Sequence, residues 1–146
     1  MTEARALRRI LVGVAGPRDA TETIPLVLGL ARAFSAQVLV VHLRERVVAA
    51  GGVIEKETIE ESVDFGQRVA DDLASQGVTS TADINAEAPD QVADYILDKA
   101  SDFDADLIVI GAHHAHGLHE RMFGDIGKTL AHRSRCPILL MPSAAE

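Results

Sequence analysis

The stretch DLIVIGAHHAHGLHERMFGDIGKT, residues 106–129, decides the fold. It opens on the most apolar run of the chain, Leu107–Gly111, in which Ile108, Val109 and Ile110 are β-branched. A continuous run of that kind suits a strand covered on both faces, hence a central one. A loop rich in glycine and histidine follows, and then a helix expected from about Gly124. Strand, loop and helix in that order form one unit of an α/β sheet, and the same rhythm recurs toward the N-terminus.

The first unit opens with Ile10–Val14, a short β-branched run closed by Gly16 and Pro17. Ile24, Val27, Leu28, Ala31 and Phe34 then recur at helical spacing. Pro25 fits only the first turn of a helix, so this one is expected to begin near Thr23. Val38–Leu43 reads as a second buried strand, and residues 44–54, with Gly51 and Gly52, as a loop. Ile59, Val63, Gly66, Ala70 and Leu73 trace the inward face of a long helix ended by Gly77. Val78–Ile84 is more polar and alternating, as at a sheet edge. Pro89 opens a third helix, with Val92, Ile96, Leu97 and Ala100 inward. The last strand is Ile138–Met141, after Pro137.

This alternation predicts a single domain over residues 1–146: an open, doubly wound, mainly parallel α/β sheet with helices on both faces. With right-handed crossovers, five strands favour the order 3-2-1-4-5. Ligands bind such sheets beyond the C-terminal strand ends where the winding reverses, between the first and fourth strands. Two loops meet there, Ala15–Asp19 and the glycine–histidine stretch.

Composition sets the outer limits. A chain of 146 residues has room for one sizeable core, and 47% hydrophobic with only 3% aromatic makes that core aliphatic. The net charge of −8 excludes a sequence-independent hold on nucleic acid; Arg5, Arg8 and Arg9 read as a solvated lead-in. No apolar run approaches membrane-spanning length and no signal stretch precedes a cleavage site, so a cytoplasmic protein without a membrane partner is expected. The single cysteine, Cys136, excludes an internal disulfide and reads as a small buried residue at a strand start.

The loop itself permits several chemistries. Gly127-Lys128-Thr129 is no P-loop, because the glycine required five residues earlier would fall on Met122. His113, His114, His116 and His119 offer imidazoles for zinc, nickel or copper, yet their spacing matches no structural zinc pattern. Hydrated histidines that gain charge as pH falls are the simpler reading, so no metal cofactor is expected; a metal-binding protein or metal-dependent enzyme using this loop is the alternative. No Gly-x-Ser-x-Gly elbow is present. Glu55, Glu57, Glu60, Glu61 and Asp64 read as a solvated outer face, His42 as a structural histidine, and Asp19 as a turn or capping residue.

Taken together, Ile10–Gly16, Val41-His42, Asp106–Gly111 and Cys136–Leu140 resemble the universal stress protein family over essentially the whole chain. ATP-binding members of that family carry a glycine, two residues, a glycine, nine residues, then a glycine followed by Ser or Thr. The resemblance places the first phosphate glycine at Gly111, the second at His114, the third at Gly124 and the hydroxyl residue at Asp125. It places the family's strand-end aspartate at Ala15 and an adenine-side contact at Val41; Gly13 and Gly117 complete the candidate nucleotide site.

Three of these positions depart from the pattern, and the departures at His114 and Asp125 act against an anion. A carboxylate about 4 Å from a phosphate costs ~1 kcal/mol in water-like surroundings and ~4 kcal/mol at intermediate dielectric. Asp125 at a helix start would also take the N–H groups that a phosphate uses. His114 places a side chain where bare backbone approaches the ligand. The implied protein is a regulatory or binding module of the stress response rather than an enzyme, with ATP binding weakened or lost. An ATP-binding member with slow or no hydrolysis is the alternative, and an adenine nucleotide is the one cofactor in view. The resemblance and the apolar edge Ile138–Met141 together imply a homodimer, alongside an unidentified protein partner.

Overall fold

Ile10, Leu11, Val12 and Val14 are completely buried, as β1 (Arg9–Val14) requires at the centre of a sheet. The computed structural model describes residues 1–44, 46–55, 57–85, 91–111 and 118–142. After β1 come α1 (Pro17–Phe34), β2 (Gln37–Leu43), β3 (Arg46–Ala49), β4 (Gly52–Glu55) and α2 (Ile59–Ser75). The second half contains β5 (Ser80–Asn85), α3 (Val92–Phe103), β6 (Leu107–Gly111), α4 (Leu118–Arg133) and β7 (Ile138–Met141). The main sheet runs β5-β2-β1-β6-β7, every pair parallel. This is the expected 3-2-1-4-5 order, with β1 and β6 at the reversal.

Side-chain alternation along the strands divides the interior into two cores. Ile10, Val12, Val14, Val38 and Val40 meet Ile24, Val27 and Ala31 of α1 and Ala70 and Leu73 of α2. Leu11, Val41, Leu43, Ile108 and Ile110 meet Ile96 and Ala100 of α3 and Ile126 and Leu130 of α4. Each fully buried aliphatic side chain contributes about 1.5–3 kcal/mol, so both helix layers are held by burial and not by local propensity. Among the described residues, no helix is long and apolar enough to cross a membrane.

Four local expectations are corrected. Helix α1 begins at Pro17, which takes the first-turn position that had been expected for Pro25. Pro25 lies inside the helix on its exposed side, where water can serve the carbonyl left without an N–H partner. The added turns are invisible to hydrophobic periodicity because their buried members, Asp19 and Thr23, are polar. Where residues 44–54 were expected as loop, Arg46–Ala49 and Gly52–Glu55 form an antiparallel hairpin in which Val47 pairs with Ile54 and Val48 with Val53.

In α2 the inward face is Ser62, Gly66, Ala70 and Leu73, whereas Ile59 and Val63 point outward at 64% and 47% exposure. The helix starts at a capping box: Glu61 N–H donates to Thr58 Oγ1 (3.0 Å) and Thr58 N–H to Glu61 Oε2 (3.2 Å). Finally, α4 begins at Leu118, six residues before Gly124. Pro89, the expected opener of α3, lies outside the described residues.

Candidate functional site

The chain leaves β1 for α1 on one face of the sheet and β6 for α4 on the other. That divergence opens a crevice beyond Ala15 and Gly111, the position at which doubly wound sheets take ligands. Its floor is built largely by side chains from α1 and β2.

Asp19, in the first turn of α1, is 4% exposed. Its Oδ2 accepts a hydrogen bond from the Ala15 N–H at 2.7 Å, and its Oδ1 accepts one from the Thr23 hydroxyl at 3.3 Å. The carboxyl group lies directly against the end of β6. A Cβ built on Gly111 would stand 1.7 Å from Asp19 Oδ1, 2.4 Å from Cγ and 2.6 Å from Oδ2. Only a residue without a side chain fits beneath that carboxylate. The sequence reading of Asp19 as a capping residue is therefore incomplete: its negative group spans the crevice from α1 to the strand β6.

His42 holds the other side of the same peptide group. Its Nδ1 is 3.0 Å from the Val14 carbonyl oxygen, which can only accept, so Nδ1 carries a hydrogen. Its Nε2 is 2.8 Å from Glu57 Oε1, a contact that also needs a proton between the two atoms. The pair is an imidazolium against a carboxylate, or the neutral equivalent with the proton on Glu57. His42 is 1% exposed, Glu57 22%, and the Phe65 ring lies 4.7 Å from the imidazole. Arg44, 7% exposed, donates from Nη2 to the Glu57 carbonyl at 2.9 Å. Glu57 thus belongs to a half-buried cluster, and Glu61 to a helix cap; neither is simply solvated outer face. The peptide joining Val14 to Ala15 is gripped at its oxygen by His42 and at its N–H by Asp19.

The remaining candidates fall in several places. Ala15 is 8% exposed at the crevice floor. Gly13 lies within β1, where a Cβ would meet Ile110 Cδ1 at 2.8 Å, so packing explains it. Val41 is fully buried in the α3/α4 core. Gly124 and Asp125 sit in the second and third turns of α4, where backbone N–H groups bond within the helix and are not free for an anion. The expected helix start at these residues is corrected accordingly. His119 is in the first turn of α4; His113, His114, His116 and Gly117 lie outside the described residues. Among the described residues no group of three or more His, Cys, Asp or Glu is placed to hold a metal ion.

Away from the crevice, Lys99 Nζ of α3 meets Asp83 Oδ2 of β5 at 2.7 Å. Burial pushes the Asp83 pKa up. The hydrogen bond and charge of Lys99, with the Ile84 N–H, pull it down further, for a net lowering from 3.8. The hydrogen bond to Asp83 raises Lys99 above 10.5 against the opposing effect of burial.

Known proteins share this fold. Universal stress protein YxiE of Bacillus subtilis (strain 168) is 25% identical over 148 residues, covering 91% of this chain and 97% of its own. The universal stress protein of Archaeoglobus fulgidus in complex with dAMP superposes with a TM-score of 0.65 at 21% identity, over 92% of this chain and 98% of that one. A universal stress protein in complex with cAMP gives 0.68 at 18% identity, over 94% and 98%. At such identities the superpositions establish the fold. The sequence model of the Universal stress protein family matches residues 6–142, and the chain belongs to that family.

Proposed function

We propose that this protein is a universal-stress-type binding and regulatory module, not an enzyme, whose crevice takes adenine nucleotides weakly or not at all in the family's manner. The observation that carries this reading is the Asp19 carboxylate lying on Gly111, the glycine at which a phosphate tail would pass. A phosphate brought within about 4 Å of that group loses ~1–4 kcal/mol, roughly fivefold to a thousandfold in affinity. The Ala15 N–H, a donor a ligand would otherwise meet at the end of β1, is already engaged by the same carboxylate.

Calorimetry with ATP and AMP at neutral pH tests the reading. The unaltered chain is expected to bind neither in the micromolar range, and Asp19→Asn to gain at least roughly fivefold by removing the charge while keeping an acceptor for Ala15. Micromolar binding by the unaltered chain overturns it. The dAMP and cAMP complexes of structurally similar proteins favour a second reading, in which a nucleotide is accommodated and Asp19 turns aside. Under that reading a nucleotide copurifies with the unaltered protein.

The module associates with itself along β7. This edge strand has only β6 beside it, and Leu140 on it is 50% exposed, a combination that proteins cover. A monomeric mass by light scattering at micromolar concentration would rule this out.

A further inference from the structure

At the opposite end of the sheet from the crevice, the approach to β1, the end of α3 and the α4–β7 connection enclose a basin of about 470 Å³. Leu97, Ala100 and Ala105 give it apolar walls. Three arginines from the two ends of the chain converge on it: Arg5, and Arg133 with Arg135.

Several charges around the basin are already engaged. Asp106 accepts the main-chain N–H groups of Arg8 and Arg9 through Oδ2, at 2.8 and 2.9 Å. Arg133 pairs with Asp94. Arg5 and Arg135 have no hydrogen-bond or ion-pair partner among the described residues. Asp104, also on the lining, and the carbonyl end of α3 limit how much negative charge the basin accepts. Arg5 and Arg135 are exposed and share the lining with Asp104 and Asp106, so the basin sets charges of both signs beside its apolar wall.

We propose that this basin is a second binding site, for a small molecule with a single carboxylate or phosphate head and an apolar body. Arg5 and Arg135 receive the head, because a guanidinium presents paired donors that match an oxyanion. Leu97, Ala100 and Ala105 receive the body. The volume lies within the range of small-molecule sites. The site is independent of the crevice and of what occurs there.

Cys136, on the wall of the basin and partly exposed, serves as a reporter. The experiment measures its alkylation by neutral iodoacetamide in the folded protein, with benzoate and, separately, phenyl phosphate added at millimolar concentration. Because only the unoccupied protein reacts, probe at about twice its Kd is expected to slow alkylation roughly threefold. Protection by benzoate alone assigns a carboxylate ligand, by phenyl phosphate alone a phosphate ligand, and by both the shared oxyanion. An Arg5→Gln, Arg135→Gln double variant is expected to abolish protection while circular dichroism and melting stay unchanged, and Arg68→Gln on α2 to leave it intact. As a second readout, iodoacetate is expected to react faster relative to iodoacetamide in the folded chain than in urea. No protection by either probe, or protection that persists in the double variant, overturns the proposal.

Discussion

Replacing Gly111 with alanine tests the crevice most directly. The backbone at Gly111 is not left-handed, since Gly52 and Gly77 are the positive-φ glycines among the described residues, so alanine fits its conformation. The added methyl group would overlap Asp19 Oδ1 at 1.7 Å and Cγ at 2.4 Å, which no rotation of a few tenths of an ångström relieves. The carboxylate must leave. With it goes the charge-assisted bond from the Ala15 N–H, worth about 1.5–3 kcal/mol, and a buried donor is stranded. The Thr23 hydroxyl loses its acceptor as well. A destabilisation of about 2–4 kcal/mol is expected. In an Asp19→Ala background the space is vacant, and the same methyl should cost less than about 1 kcal/mol, giving a coupling near 2 kcal/mol. Urea unfolding followed by circular dichroism at neutral pH, with equal slopes for the four proteins, measures the cycle. An equal cost of Gly111→Ala in both backgrounds would refute the reasoning, as would a Gly111→Ala protein as stable as the parent.

Three further outcomes are expected. Gly29→Ala, within α1 and with open space where its Cβ would lie, should stabilise by about 0.5–1 kcal/mol and raise the melting temperature by about 2–4 °C; an unchanged or lower melting temperature contradicts this. Thr58→Ala, which removes the acceptor of the α2 capping box, should cost about 1 kcal/mol in urea titrations, and no loss would mean that the box is not stabilising. Lys99→Met should cost only about 0.5 kcal/mol near neutral pH, because the pair is about a third exposed. The sign of its pH dependence follows from the two shifts. The lowered Asp83 contributes stability that is present above its ordinary value of 3.8 and lost as pH falls through its lower folded value. The raised Lys99 contributes stability that is present below 10.5 and lost as pH rises through its higher folded value. The difference between variant and parent should close at those two extremes, and a difference constant from pH 7 into acid would show that the ion pair is not its source.

The sheet was legible because its strands are aliphatic runs of the right length. Leu107–Gly111 and Ile138–Met141 lie where the sequence places them, and the strand order is the one that right-handed crossovers and five strands favour. What stayed hidden was polar. The first turns of α1 are buried through Asp19 and Thr23, so a count of apolar residues starts the helix too late. Glu57 and Glu61 looked like part of an acidic surface, yet one closes on His42 and the other on Thr58. Thr58-Ile59-Glu60-Glu61 does carry the capping-box signature, and that signal was available. The hairpin at 46–55 was obscured by Gly51 and Gly52, which mark its turn and its second strand. Motif matching placed a competing anion at Asp125 and the first phosphate glycine at Gly111. The carboxylate found there belongs to Asp19, four residues beyond Ala15, in a stretch that no spacing rule connects to β6.

Among the described residues, the hairpin of β3 and β4 pairs with itself and forms a sheet separate from the five-stranded one. Both of its roots are fastened, since His42 and Arg44 on one side reach Glu57 on the other. Such a closed excursion can be lengthened, shortened or exchanged for another segment without disturbing either layer of helices. Doubling the length of a flexible segment costs only about 0.6 kcal/mol in closure entropy. Residues 50 and 51 are therefore where this chain can take on a fluorescent tag, a recognition peptide or a new appendage while the clasp at Glu57 keeps the remainder in register.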